Sequence, residues 1–260
     1  MTTKRDFSYA SNGFTMVELS VVLVVVSFII GGLLSVSTMV HEARVNSTIV
    51  WVRSVQTAYM QFEDIYSAIP GDMINASTFF PGATNGNGDG KVDGAPGGDD
   101  HGGSLGGAGN LYYWQAEDMW FWNHITTAGL LKGKLFGNVV CCPVIPGYNT
   151  PAIPLATGIT AAVYNTSYFG VPADTMLINT PLGWAGAGAV QPQDALEIDQ
   201  KMDDGLPRSG TVYGLSSNEM YGGQPSTCYY TTPAGTIAYD VNHNSRLCGL
   251  AIALGPLTLQ

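Results

Sequence analysis

Between Leu19 and Val40 the chain carries no charged side chain. About 22 residues at roughly 1.5 Å of helical rise match a hydrocarbon core of roughly 30 Å, so this pattern predicts a membrane-spanning helix over about 19–40. Beyond it Val45, Ile49, Val52, Val55, Tyr59, Phe62 and Tyr66 recur at steps of three or four, the spacing of one face of an amphipathic helix. Glu42, Arg44, Gln56, Gln61, Glu63 and Asp64 fall mostly elsewhere. Pro70 disfavours helix at Ile69 and Gly71 supplies a stop, so one helix is expected from about Phe14 to Ser67, with Gly31 and Gly32 as its soft point.

The stretch from Pro81 to Gly109 is dense in glycine and poor in apolar side chains, and reads as loop. From Asn110, an N-cap candidate, Leu111, Trp114, Phe121, Trp122, Ile125 and Leu130 return to helical spacing, with Gly129 or Gly133 as the stop. Trp114, Trp120 and Trp122 are read as core or interface aromatics rather than a stacking platform. After Cys141 short apolar stretches at Ala161–Tyr164, Thr175–Asn179, Thr211–Leu215 and Thr236–Tyr239 alternate with Gly, Pro, Asn and Ser, the punctuation of antiparallel strands. Asp194 to Gln200 has the makings of one or two helical turns. The expected fold class is α+β, with an antiparallel sheet and long loops packed on the distal half of one long N-terminal helix. The domains expected are a leader over 1–13, the helix over 14–69 and a head over 70–260.

Charge and cysteine content narrow the setting. A formal charge of −10 repels phosphate backbones and disfavours general nucleic-acid binding. Lys4 and Arg5 precede the apolar run, which by the positive-inside tendency keeps them cytoplasmic and places the head outside. Cys141, Cys142, Cys228 and Cys248 then lie in an oxidising compartment and allow three intramolecular pairings. Cys228 with Cys248 is preferred, a loop closure of roughly 3 kcal/mol. Adjacent Cys141 and Cys142 are compatible with a vicinal bridge, an inter-subunit bridge or free thiols.

One carboxylate, Glu18, sits at the start of the apolar run, where ionisation costs on the order of 3 kcal/mol unless a cation answers it. Cleavage between Gly13 and Phe14 would create that cation as a new α-amino group. Gly13-Phe14-Thr15-Met16-Val17-Glu18-Leu19 resembles the processing site of type IV pilins and type II secretion pseudopilins. The resemblance covers roughly residues 1 to 66. It implies a prepilin cut before Phe14 by a prepilin peptidase, methylated at Phe14, and assembled into a filament with Glu18 setting subunit register. It implies like or related pilin subunits and an inner-membrane assembly platform as partners. The implied location is single-pass in the inner membrane, with a periplasmic head, and then the pilus or pseudopilus. A disulfide-closed loop near the C-terminus is likewise what the resemblance implies. The alternatives are a minor tip pilin acting as an adhesin or binding module, and a membrane-anchored periplasmic enzyme.

Two acidic stretches are candidate calcium sites. Asn85, Asn87, Asp89, Gly90, Val92 and Asp93 match the first nine positions of an EF-hand loop, with oxygen side chains at one, three and five and glycine at six. Pro96 stands where the bidentate glutamate belongs, with Asp99 or Asp100 as substitutes. Asp199, Asp203 and Asp204 precede a glycine turn and form the second candidate, their plain alternative being turn chemistry. Calcium is the only cofactor these patterns point to. Gly102-Gly103-Ser104-Leu105-Gly106 satisfies G-x-S-x-G but lacks a preceding strand, and His41, His101, His124 and His243 show no zinc spacing, so an enzyme is not expected.

Overall fold

The computed structural model describes residues 13–92, 117–133, 135, 145–165, 174–180, 188–216 and 227–255, with the side chains of 32–38 and 164–165 outside that description. The chain forms two compact units, Met1–Ala43 and Arg44–Gln260, and the boundary falls within helix α1, Met16–Tyr66, of 51 residues.

In the first unit α1 opens on a capping box. The Thr15 hydroxyl accepts the Glu18 amide at 3.2 Å, while Glu18 Oε2 accepts the Thr15 amide at 2.9 Å and the Thr15 hydroxyl at 2.9 Å. These bonds, the backbone one first, hold the Glu18 carboxyl below its ordinary range. Glu18 thus has its partner within its own helical turn.

The membrane-spanning expectation is corrected here. Among the described residues no helix is long and apolar enough to cross a membrane. The apolar run from Leu19 to Val40 lies within α1. Within it Ser20 and Ser27 donate their hydroxyls to the Val17 and Leu23 carbonyls, at 2.8 and 2.7 Å. The pilin-like fold class, the identification with pilins and pseudopilins, the filament-subunit function and the single-pass inner-membrane location all required that span, and all are set aside with it. What the described residues form is a mixed α+β arrangement with helix α1, a modest open sheet and several short helices.

In the second unit the distal part of α1 buries Val45, Ile49, Val52, Val55, Tyr59 and Phe62, one stripe at helical spacing. The short helices are α2 (Ala76–Phe79), α3 (Glu117–Thr127) and α4 (Pro192–Met202), the last started by a proline whose missing amide costs nothing there. The strands are β1 (Thr160–Asn165), β2 (Asp174–Asn179), β3 (Val212–Ser216), β4 (Tyr229–Thr231), β5 (Ile237–Tyr239) and β6 (Cys248–Ala253).

Four strands form an open antiparallel sheet in the order β1-β2-β6-β3, and β4 and β5 form a separate hairpin. Leu177 stands opposite Ala251 between β2 and β6, and Gly214 opposite Leu250 between β3 and β6. The central strands β2 and β6 are buried along their whole lengths, so no polar-apolar alternation is required of them. Helix α3 lies against β1, and α4 against β3, β5 and β6. From α1, Gln56 Nε2 donates to the Ala253 carbonyl at 2.8 Å and the Tyr59 hydroxyl donates to Asp174 Oδ2 at 2.7 Å, joining the helix to the ends of the central strands. A disulfide joins Cys228, just before β4, to Cys248 at the start of β6, with an S–S distance of 2.00 Å.

Because Ile252 is fully buried in β6, Ile252→Ala is expected to cost about 2–5 kcal/mol of unfolding free energy, read as a lower midpoint in chemical denaturation with an unchanged slope.

Candidate metal centre

Past α1 the chain turns at Pro70 and Gly71 and buries Asp72. A carboxylate removed from water must be satisfied by donors, and the glycine-rich segment 84–91 doubles back to supply them. Asp72 Oδ1 accepts the Gly88 and Asp89 amides at 2.6 and 3.1 Å, and Oδ2 accepts the Gly90 amide at 2.9 Å. The Met73 and Asp72 carbonyls accept the Gly86 and Gly88 amides at 2.9 and 3.0 Å. So close an approach requires glycine: a Cβ at Gly86 would lie 2.2 Å from the Asp72 carbonyl carbon.

Within the segment Asn87 Oδ1 accepts the Asp89 amide at 2.9 Å and Asp89 Oδ1 accepts the Lys91 amide at 3.0 Å, two successive Asx turns. From the first turn of α3 Glu117, fully buried, accepts the Asn87 amide through Oε1 at 2.8 Å. Carboxylate oxygens of Asp72, Asp89 and Glu117 consequently all lie within 4.8 Å of one another, two of the residues buried and Asp89 exposed. Burial pushes the Asp72 carboxyl above its ordinary value, and the amides of Gly90, Gly88 and Asp89 oppose that shift. An all-oxygen donor set of this charge fits a hard divalent cation, with backbone carbonyls and water to complete a coordination of six to eight.

The residues picked from sequence are only partly brought together. Asp89 is in the cluster. Asn85 faces elsewhere, its Oδ1 accepting the Ser77 amide of α2 at 2.8 Å. Asn87 spends its side chain on Asp89, donating from Nδ2 to Oδ2 at 3.0 Å. Asp93 lies outside the described residues, as do Asp99, Asp100, Ser104, His101, Cys141 and Cys142. Asp72 and Glu117 were missed, since neither stands at a ligand spacing from Asp89. Their only local signal is an acid next to a helix stop and an acid in a helix's first turn. Gly13 and Phe14 are exposed ahead of the Thr15 cap.

Asp199, Asp203 and Asp204 do converge, with carboxylate oxygens again all within 4.8 Å. Each is engaged locally. Asp199 accepts the Gly205 amide at 3.1 Å and the Tyr239 hydroxyl at 2.8 Å. Asp203 Oδ2 accepts the Thr211 amide and, at 3.1 Å, the Val212 amide, while Asp204 accepts the Leu206 amide at 2.8 Å and the Ser209 hydroxyl at 2.5 Å. Gly210, at φ +72°, admits the Asp203 carboxylate where a Cβ would fall 1.9 Å from Oδ2. Burial pushes Asp199 up to about 6, against the Tyr239 and Gly205 bonds. This cluster staples the turn between α4 and β3.

Beside the first cluster, Asp118 is buried and accepts the Met119 amide at 2.8 Å. Burial pushes its carboxyl up to about 7, with the Met119 amide opposing.

Comparison with known proteins finds no matching family model, no matching curated protein and no matching solved structure. The reading of this chain therefore rests on its own geometry, and the resemblance to pilins gains no support from relatives.

Two outcomes follow from this geometry. Gly86→Ala is expected to destabilise the protein by more than about 2 kcal/mol, because backbone rather than a flexible side chain occupies the space, and thermal denaturation against wild type measures it. For Asp118 the folded-state value of about 7 exceeds the ordinary 3.8, so the folded protein holds that proton to higher pH. Its contribution is complete below about pH 4 and is lost as pH rises through about 7. The difference in unfolding free energy between wild type and Asp118→Asn, followed from pH 4 to pH 8, is expected to move against wild type across that window.

Proposed function

We propose that the unit formed by residues 44–260 is a calcium-binding domain that works by binding rather than by catalysis. The observation that carries this reading is the convergence of Asp89 on Asp72 and Glu117, which come from distant parts of the chain and are both buried. Asp89 belongs to a stretch patterned like a calcium loop, an indication independent of the fold. Three carboxylates so close repel one another, and two of them are costly to ionise out of water. A divalent cation among them relieves both terms at once. The flexible, Asx-turned loop suits the irregular coordination of calcium better than the strict octahedron of magnesium.

Support for binding over catalysis comes from the same bonds. The Asp72 carboxylate is pinned by three backbone amides and Asp89 by two donors, so these groups are held as fixed points of charge. A proton-transfer role calls for a group that gains and loses its proton without collapsing its own support.

Calorimetric titration and thermal denaturation with calcium test the proposal. At a free concentration near one hundred times Kd, calcium is expected to add about 2.7 kcal/mol of stability to wild type. Asp72→Asn and Glu117→Gln are expected to abolish the response, and Asp203→Asn to retain it. A wild-type protein that neither binds calcium nor gains stability from it overturns the reading.

A further inference from the structure

His124 is fully buried on α3 and bonded through both ring nitrogens. The Gly71 amide donates to Nδ1 at 2.9 Å, so Nδ1 carries no proton. The proton must then be on Nε2, which donates to the Thr84 carbonyl at 2.8 Å. One imidazole thus ties together the two backbone segments that face each other below it. Gly71 leads into Asp72 and Met73; Thr84 leads into Gly86, Gly88 and Gly90, whose amides bond those same two residues.

Two aromatic rings lie against the His124 imidazole. Phe62 of α1 stacks on it with centroids 6.2 Å apart, and Phe80, after α2, lies at 6.1 Å. From segments 71 and 84 it meets backbone. The titratable groups nearest along these elements are Glu63, Tyr59 and Tyr66 about Phe62 on α1, Asp72, next to Gly71, Asp89 and Lys91 beyond Thr84, and Glu117 and Asp118, earlier on α3. A second proton would convert Nδ1 from an acceptor into a donor pointed at the Gly71 donor and place a charge against two aromatic rings.

We propose that His124 is an acid-sensitive latch, which holds the 84–91 segment against residues 71–73 while its imidazole is neutral and releases it when the imidazole gains a second proton. Burial, opposed by the Thr84 carbonyl, pushes the imidazole from its ordinary 6.5 down to about 4. A histidine whose folded-state value is depressed stabilises the fold fully above its unfolded value and loses that contribution as pH falls toward the folded one. The working window of the latch is therefore about pH 6.5 down to about 4. The latch requires no bound cation, and its failure leaves the calcium reading untouched.

The test is a calcium-free NMR titration of the full chain from pH 7.5 to 3, following the His124 ring nitrogens and the amide-exchange protection of Gly71, Gly86, Gly88 and Gly90. Expected are an Nε2-protonated neutral ring at pH 7, a midpoint well below 6.5, and a drop of at least about tenfold in protection of those amides with the same midpoint. His124→Gln, which keeps an amide acceptor and donor but no titration, is expected to remove the drop at that midpoint, separating it from any due to Asp72, Glu117 or Asp118. A ring that titrates near 6.5, amides unmoved as the ring protonates, or a His124→Gln protein that keeps the wild-type drop would each overturn the latch. Should the variant fail to fold, the wild-type titration alone still decides.

Discussion

The second unit depends on how a carboxylate taken out of water is paid for. Asp72 is buried where α1 has just ended, and its charge is answered by three consecutive backbone amides. That demand bends segment 84–91 back on the chain, sets Gly86 against the Asp72 backbone, and puts Asn87 where Glu117 can take its amide. Helix α3 is thereby docked by its first turn through Glu117 and by its third through His124. The rings of Phe62 and Phe80 pack on each other and against His124 beside those polar ties. Hydrophobic burial supplies the larger free energy, but the polar ties determine which loop conformation receives it.

The two acidic clusters show that proximity of carboxylates is not one thing. In Asp199, Asp203 and Asp204 the acids are near neighbours in sequence and bond the turn they belong to, much as Asx chemistry does in any tight connection. In Asp72, Asp89 and Glu117 they come from a helix exit, a loop and a helix entrance, so bringing them together takes the whole local fold. That convergence is the observation on which the proposed cation site rests.

Much of the sheet was legible because local composition decides it. The stretches read as strands around residues 161, 175, 211 and 236 coincide with β1, β2, β3 and β5. The strand that holds the sheet together, β6, was not seen: Cys-Gly-Leu-Ala-Ile-Ala is small, short and without alternation, and its identity comes from the partners on either side. Likewise Asp89 announced itself by loop pattern, while Asp72 and Glu117 are ligand candidates only once the chain has folded. Thr15-Met16-Val17-Glu18 forms a helix-starting capping box, in which Glu18 is bonded to the threonine three residues before it. What corrects the pilin resemblance is that, among the described residues, no helix is long and apolar enough to cross a membrane.

The position of β6 has a consequence for how the protein is made. It lies between β2 and β3, yet among the described residues it is the last of the six strands in chain order. A nascent polypeptide emerging from the ribosome therefore presents β1, β2 and β3 before the strand that lies between β2 and β3 has been made. Unpaired strand edges invite pairing with the wrong chain. Only when Cys248–Ala253 clears the exit tunnel can β2 and β3 be joined in one sheet, and the same step brings Cys248 within reach of Cys228 for oxidation.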